Sequence, residues 1–158
     1  MKRNSTLFLK AVIVLLGVIV FAALIRFPMT EGAAVNKSLI SIYLNPFIIY
    51  IYLSSIPFFA ALFQTITLLS LVEKNNIFSI PAITAMKNIK ICAIAIIGLL
   101  IAAMVWIRLN SGDDDPAGAM AVGIVLTFVS LVIATSTAVF QKLLQNAVDL
   151  KSENDLTV

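Results

Sequence analysis

Four long apolar blocks organise the chain, at residues 7–25, 44–72, 89–107 and 119–144. A helix crosses roughly 30 Å of hydrocarbon with about 20 mostly apolar residues. The blocks are too long for strands, and none alternates strictly between apolar and polar. In lipid the backbone N–H and C=O groups must pair within their own segment, which predicts α-helices. Composition closes off the soluble alternative. The 158 residues are 61% hydrophobic and 12% charged, against about 45–50% apolar and about 25% charged in a soluble domain. The expected fold is therefore all-α: one polytopic membrane domain over residues 1–158, a bundle of four transmembrane helices with a tail at 145–158.

The block boundaries carry helix-end chemistry. Asn45-Pro46 and Asp115-Pro116 each read as an N-cap followed by a first-turn proline. Ser79 reads as the cap of a short helix holding Pro81. That helix leads into the third span and is expected on the membrane surface, with Lys87 and Lys90 snorkelling to headgroups. Tyr43, Tyr50, Tyr52 and Trp106 fit an aromatic belt at one membrane face. The second block would be about 40 Å long at 1.5 Å per residue. Pro57 removes the bond to the Leu53 carbonyl, so a kink is expected there, with Ser54 and Ser55 near enough to help satisfy it. The first block has a basic start, but its apolar run exceeds the usual 7–15 residues of a signal peptide, so it reads as a retained span.

Lys and Arg favour the cytoplasmic side of a membrane. With the N-terminus inside, Lys2, Arg3, Lys10, Lys74, Lys87, Lys90, Lys142 and Lys151 all face the cytoplasm. Arg26, Lys37 and Arg108 face out. Eight of the eleven basic residues then lie inside, so both termini of this multi-pass chain are expected in the cytoplasm. The net charge of +3 is too small and too dispersed for direct nucleic-acid binding.

The interiors of the spans contain no Asp, Glu, Lys, Arg or His. Ionisable residues in a membrane mark proton relays and ion pathways, so a proton-coupled pump is disfavoured. The chain has no histidine and one cysteine, Cys92. Serines and threonines lack an activating base, so no enzyme is expected, nor any catalytic, metal or cofactor site. The Asp113-Asp114-Asp115 run reads as a solvated loop and helix cap. The fourth span carries small and hydroxylated residues every three or four positions, among them Gly123, Thr127, Ser130, Ala134 and Thr137. This face fits a helix-packing seam or a polar path, with Gln64 and its neighbours Thr65 and Thr67 on the second span facing it. Past the last span, the segment with Asp149, Glu153, Asp155 and Leu156 reads as a frayed helical end, or alternatively as a short docking tail for a cytoplasmic partner.

Three segments together resemble the bacterial membrane proteins grouped as domain of unknown function 2975 (DUF2975). They are the start Ser5-Thr6-Leu7-Phe8-Leu9-Lys10 with a span ending at Phe27-Pro28, Phe78-Ser79 followed by Ile89-Lys90, and the ending Glu153-Asn154-Asp155-Leu156-Thr157-Val158. Members of that family are often encoded beside a small helix-turn-helix DNA-binding regulator. The resemblance thus implies a membrane protein that holds, or signals to, such a cytoplasmic regulator. A small-solute transporter or channel subunit, built as a homo-oligomer around Thr127 and Ser130, stands as the alternative. Self-immunity against a membrane-active peptide has no motif behind it.

The charge bias makes a direct prediction. Reporter tags fused at Met1 and at Val158 will both report the cytoplasmic face, and a tag at Asp114 will report the opposite one.

Overall fold

The computed structural model describes residues 3–33, 39–110 and 115–155. It contains α1 (Arg3–Ala33), α2 (Leu39–Tyr43), α3 (Pro46–Glu73), α4 (Ile80–Asn110) and α5 (Ala117–Asp155). There is no strand among the described residues. All but α2 are long and apolar enough to cross a membrane. Cross-helix contacts show that consecutive long helices run antiparallel. Lys10 and Tyr52 link α1 to α3 through Glu73 and Leu24, and Lys90 meets Gln141 between α4 and α5. Both chain ends therefore lie at one end of the bundle, called here the terminus end. The other is the far end.

Short connections place sequential helices side by side. α1 packs on α3, α3 on α4 and α4 on α5. Among the described residues α1 makes no close backbone approach to α4 or α5, and α3 makes none to α5. The order is thus an arc of four helices with a gap between its first and last members. The arc is tightest at the terminus end, where Ala82, Ile83 and Leu144 are buried under Leu68, Leu71, Ile77 and Val148. Small Ala side chains there let helices approach closely. Large apolar side chains such as Phe8, Val18, Phe128 and Val139 point outward. In water such exposure would be costly. In a bilayer it is the surface presented to acyl chains.

The helix ends show where local sequence acts. Asn45 Oδ1 accepts from the Phe47 N–H at 2.9 Å, with Pro46 at the first helical position. Asp115 Oδ1 accepts from the Ala117 N–H at 3.0 Å. α3 closes in a Schellman turn: the Asn76 N–H bonds the Leu71 carbonyl at 2.9 Å and the Asn75 N–H bonds Val72 at 3.1 Å. Asn75 takes the left-handed conformation this requires, with φ of 54°. Pro57 lies inside α3, which is continuous from Pro46 to Glu73. Ser55 Oγ donates to the Tyr52 carbonyl at 2.7 Å rather than to Leu53.

Three local expectations change. α1 does not stop at Phe27-Pro28 but continues to Ala33, and Pro28 is buried. The short α2, with Ile42 buried, packs against α1 and α3. Residues 80–88 form no separate surface helix. They are the first turns of α4, with Ile83 in the terminus-end core, because α3 and α5 both extend far enough to cover them. Ser79 does not cap that helix with its side chain. Its hydroxyl donates to the Asn76 carbonyl at 2.7 Å, while its own carbonyl accepts from Ala82 and Ile83. Finally, Tyr50 and Tyr52 turn their hydroxyls to neighbouring helices. Two residues apart, they sit about 200° apart around α3. Tyr50 therefore donates to the Leu99 carbonyl on α4, and Tyr52 to the Leu24 carbonyl on α1 at 3.1 Å.

Lys10 is expected from sequence to snorkel towards headgroups. Instead its Nζ pairs with Glu73 Oε2 at 2.7 Å, with the two side chains 23% and 28% exposed. Such partial burial makes an uncompensated charge costlier than the pair itself is stabilising. Glu73→Gln and Lys10→Met should each lower stability by about 1–2 kcal/mol. The charge-swapped double variant should recover most of that loss. Unfolding in bicelles with increasing denaturing detergent measures all three.

Candidate functional site

The stripe on α5 is built by spacing. Residues three or four apart share a helix face, and Gly123, Ser130, Ala134 and Thr137 are all buried, with Thr127 half-buried. The neighbour of α5 is α4. At Gly123 the approach is so close that an added Cβ would lie 2.7 Å from Met104 Sδ and 2.8 Å from its Cγ. The hydroxyls turn back to their own helix: Thr127 Oγ1 donates to the Gly123 carbonyl at 2.7 Å, and Thr137 Oγ1 to Ile133 at 2.6 Å. This is how a polar side chain is accommodated where no water can serve it. Gln64 does not join the stripe. It is half-buried on α3 with no hydrogen-bond partner among the described residues. Thr65 and Thr67 bond the carbonyls of Ala61 and Phe63. The polar groups of α3 and α5 stay apart because α3 and α5 make no close backbone approach.

The far half of the arc encloses space. A cavity of about 520 Å³ is lined by all four long helices, including Val20 and Phe27 of α1, Ile51 of α3, Met104 of α4, and Gly123 and Leu126 of α5. A second, of about 330 Å³, lies between α3 and α4 beside Tyr50 and Leu99. A third, of about 270 Å³, lies against Trp106. Phe47 and Ala103 border all three. Phe47 also stacks on Trp106, with ring centroids 5.3 Å apart and planes 15° apart. Ser54, on the wall of the second cavity, has a buried Oγ without a partner among the described residues. The linings are otherwise overwhelmingly apolar. Sequence alone gives no sign of these cavities, because each wall is an ordinary hydrophobic span.

The terminus end carries the polar chemistry. Besides Lys10–Glu73, Lys90 Nζ donates to Gln141 Oε1 at 2.8 Å. The lysine expected at the headgroups thus joins α4 to α5. Helix α5 continues past residue 144 as regular helix to Asp155. Asp149 is exposed on it, accepting from Gln145 Nε2 at 3.0 Å, and Ser152 Oγ donates to the Asp149 carbonyl at 2.7 Å. Leu143 and Leu150 are 58% and 67% exposed, and Glu153 is exposed. Asp155 ends the helix, and Leu156 lies outside the described residues, as do Asp113 and Asp114. Two further features carry no mark in the sequence. One is the wholly buried Thr6 on α1, its Oγ1 without a partner among the described residues. The other is the pairing of Lys10 and Lys90 across helices, since nothing in a linear sequence marks residues 63 or 51 positions apart as neighbours.

The close approach at Gly123 yields a test. Gly123→Leu should force α4 and α5 apart and lower stability by about 1–3 kcal/mol, the usual range for overpacking. Ala121→Leu, on the exposed side of α5, should leave it unchanged. Thermal unfolding in the same detergent separates the two.

Comparison with known proteins agrees with the architecture. A model of the family described as "Protein of unknown function (DUF2975)" matches residues 28–158. The chain is similar to the "Uncharacterized membrane protein YoaS" of Bacillus subtilis (strain 168), at 43% identity over 161 residues and 100% of both chains. No solved structure matches it. A match over most of the chain, a full-length relative that is a membrane protein, and four helices of spanning length converge on one assignment: the chain belongs to the DUF2975 family of membrane proteins.

Proposed function

We propose that this protein is a membrane-embedded docking partner for a cytoplasmic helix-turn-helix regulator, with the last turns of α5 as its contact surface. The carrying observation is the length and chemistry of α5. At 1.5 Å per residue its 39 residues extend about 58 Å, nearly twice the hydrocarbon thickness. Its excess lies at the terminus end, where the charge bias places the cytoplasm. There the helix presents apolar Leu150 beside acidic Asp149 and Glu153. An apolar anchor with acidic flanks suits a basic, DNA-binding surface, and contact with it would compete with DNA phosphates. In sequence, Asp155 and Leu156 repeat the acidic-apolar pairing.

What supports docking over solute passage is the condition of the α5 stripe. Gly123, Ser130, Ala134 and Thr137 are buried, Gly123 directly against Met104 of α4, and the Thr127 and Thr137 hydroxyls are bonded within α5. The span interiors also lack the ionisable groups that coupling requires. This reading places the chain in the bacterial plasma membrane as a non-enzymatic, multi-pass protein.

A photo-crosslinker at position 150 tests it in native membranes. It should capture a DNA-binding protein, whereas the same probe at lipid-facing Phe128 should not. Deleting Ser152–Val158, or making Asp149→Lys, should cut capture about tenfold or more while membrane insertion is unchanged. Undiminished capture by both variants would refute the docking role.

A further inference from the structure

The geometry points to the 520 Å³ far-end cavity as a binding site for an acyl chain of an anionic phospholipid, with the lipid phosphate held at Arg26. Four observations converge. First, the cavity has a lateral entrance. Its walls include α1 and α5, yet these helices make no close backbone approach to each other. A slot between them therefore opens on the surrounding hydrocarbon. Second, its lining is overwhelmingly apolar, the chemistry that an acyl chain matches. Third, the lining runs from Ile19 to Phe27 on α1 and from Ala119 to Leu126 on α5. That is about two helical turns, on the order of 10 Å at 1.5 Å per residue, and it leads towards the far end of the bundle.

The fourth observation concerns charge. Gly17 and Phe21 fix the α3-facing side of α1, touching Leu62 and Phe59. Cavity-lining Ile19 and Ala23 lie towards the opposite edge, and Arg26 follows Ala23 on that edge, one turn nearer the far end. Arg26 is exposed. It stands beside the slot at the end where a headgroup would be if its chain lay in the cavity. Arg108, one turn beyond cavity-lining Met104 on α4, adds positive charge on the α5 side while engaged within the chain. Asp115, at this rim, already accepts from the Ala117 N–H. Guanidinium groups bind phosphate through paired, charge-assisted hydrogen bonds. A neutral apolar ligand would leave this placement of Arg26 without a role.

The site is independent of the α5 docking surface, and the protein supplies its own reporter. Trp106 is the sole tryptophan and stacks on Phe47 at the cavity wall. The full-length protein is reconstituted in nanodiscs of phosphatidylcholine carrying a small fraction of chain-brominated phosphatidylglycerol or chain-brominated phosphatidylcholine. Brominated phosphatidylglycerol should quench Trp106 at about fivefold lower mole fraction, the preference expected of one arginine near the surface. Arg26→Gln should erase that preference and Arg26→Lys should keep most of it. Ala23→Phe, which plugs the slot from an exposed position, should erase it too. Equal quenching by the two lipids in the unaltered protein would overturn the proposal. So would a preference that survives Arg26→Gln or Ala23→Phe, or a second copy of the chain filling the slot in crosslinking.

Discussion

Hydrocarbon offers no hydrogen bonds, and that single condition shapes every level of this protein. It makes each spanning segment a helix, since only a helix pairs its backbone within itself. It also disciplines the side chains. Thr65, Thr67, Ser70, Thr127 and Thr137 all bond carbonyls one turn back on their own helix. Tyr50 and Tyr52 instead reach carbonyls of neighbouring helices, which makes α3 the spine of the arc. In water these groups would have many partners. In lipid each bond fixes a helix in register with itself or with its neighbour.

The same solvent removes the usual hydrophobic drive for helix association, because acyl chains are as apolar as leucine. Close packing must then do the work. At the terminus end Ala82, Ala85 and Ala93 of α4 let its neighbours approach, and nearer the far end Gly123 of α5 lets Met104 of α4 close in. Elsewhere at the far end the cavity walls are bulkier, with Phe27, Phe47 and Leu126 among the lining. A tight base and an open top follow from side-chain volume. Helix α1 is the least constrained of the four, bound to the rest chiefly through α3, by Lys10–Glu73 near one end and Tyr52–Leu24 towards the other.

This asymmetry divides the molecule by chemistry. Charge-bearing side chains concentrate where the helices are tightest and where α5 reaches beyond a bilayer's thickness. Apolar space concentrates at the opposite end, with Arg26 and Arg108 at the level of its rim. A protein–protein contact and a lipid contact would therefore occupy separate ends of one short bundle.

The spans, their helical character and the caps at Asn45 and Asp115 were legible from residue order, because periodicity, length and capping are properties of contiguous sequence. The resemblance carried by Phe78-Ser79 and the C-terminal motif was legible for the same reason. Helix ends were read less well. Pro28 reads as a terminator, yet α1 continues through it. Residues 80–88 read as a surface helix, yet Ile83 belongs to the terminus-end core. In both places packing from distant segments overrides the local signal. The candidate sites divide the same way. The spacing of Gly123, Ser130, Ala134 and Thr137 announced a shared face, but not that α4 would occupy it while α3 and Gln64 stayed away. Lys10 with Glu73, Lys90 with Gln141, and the cavity beneath Phe47 exist only once the arc is assembled, since no property of a single helix records how closely the next one approaches.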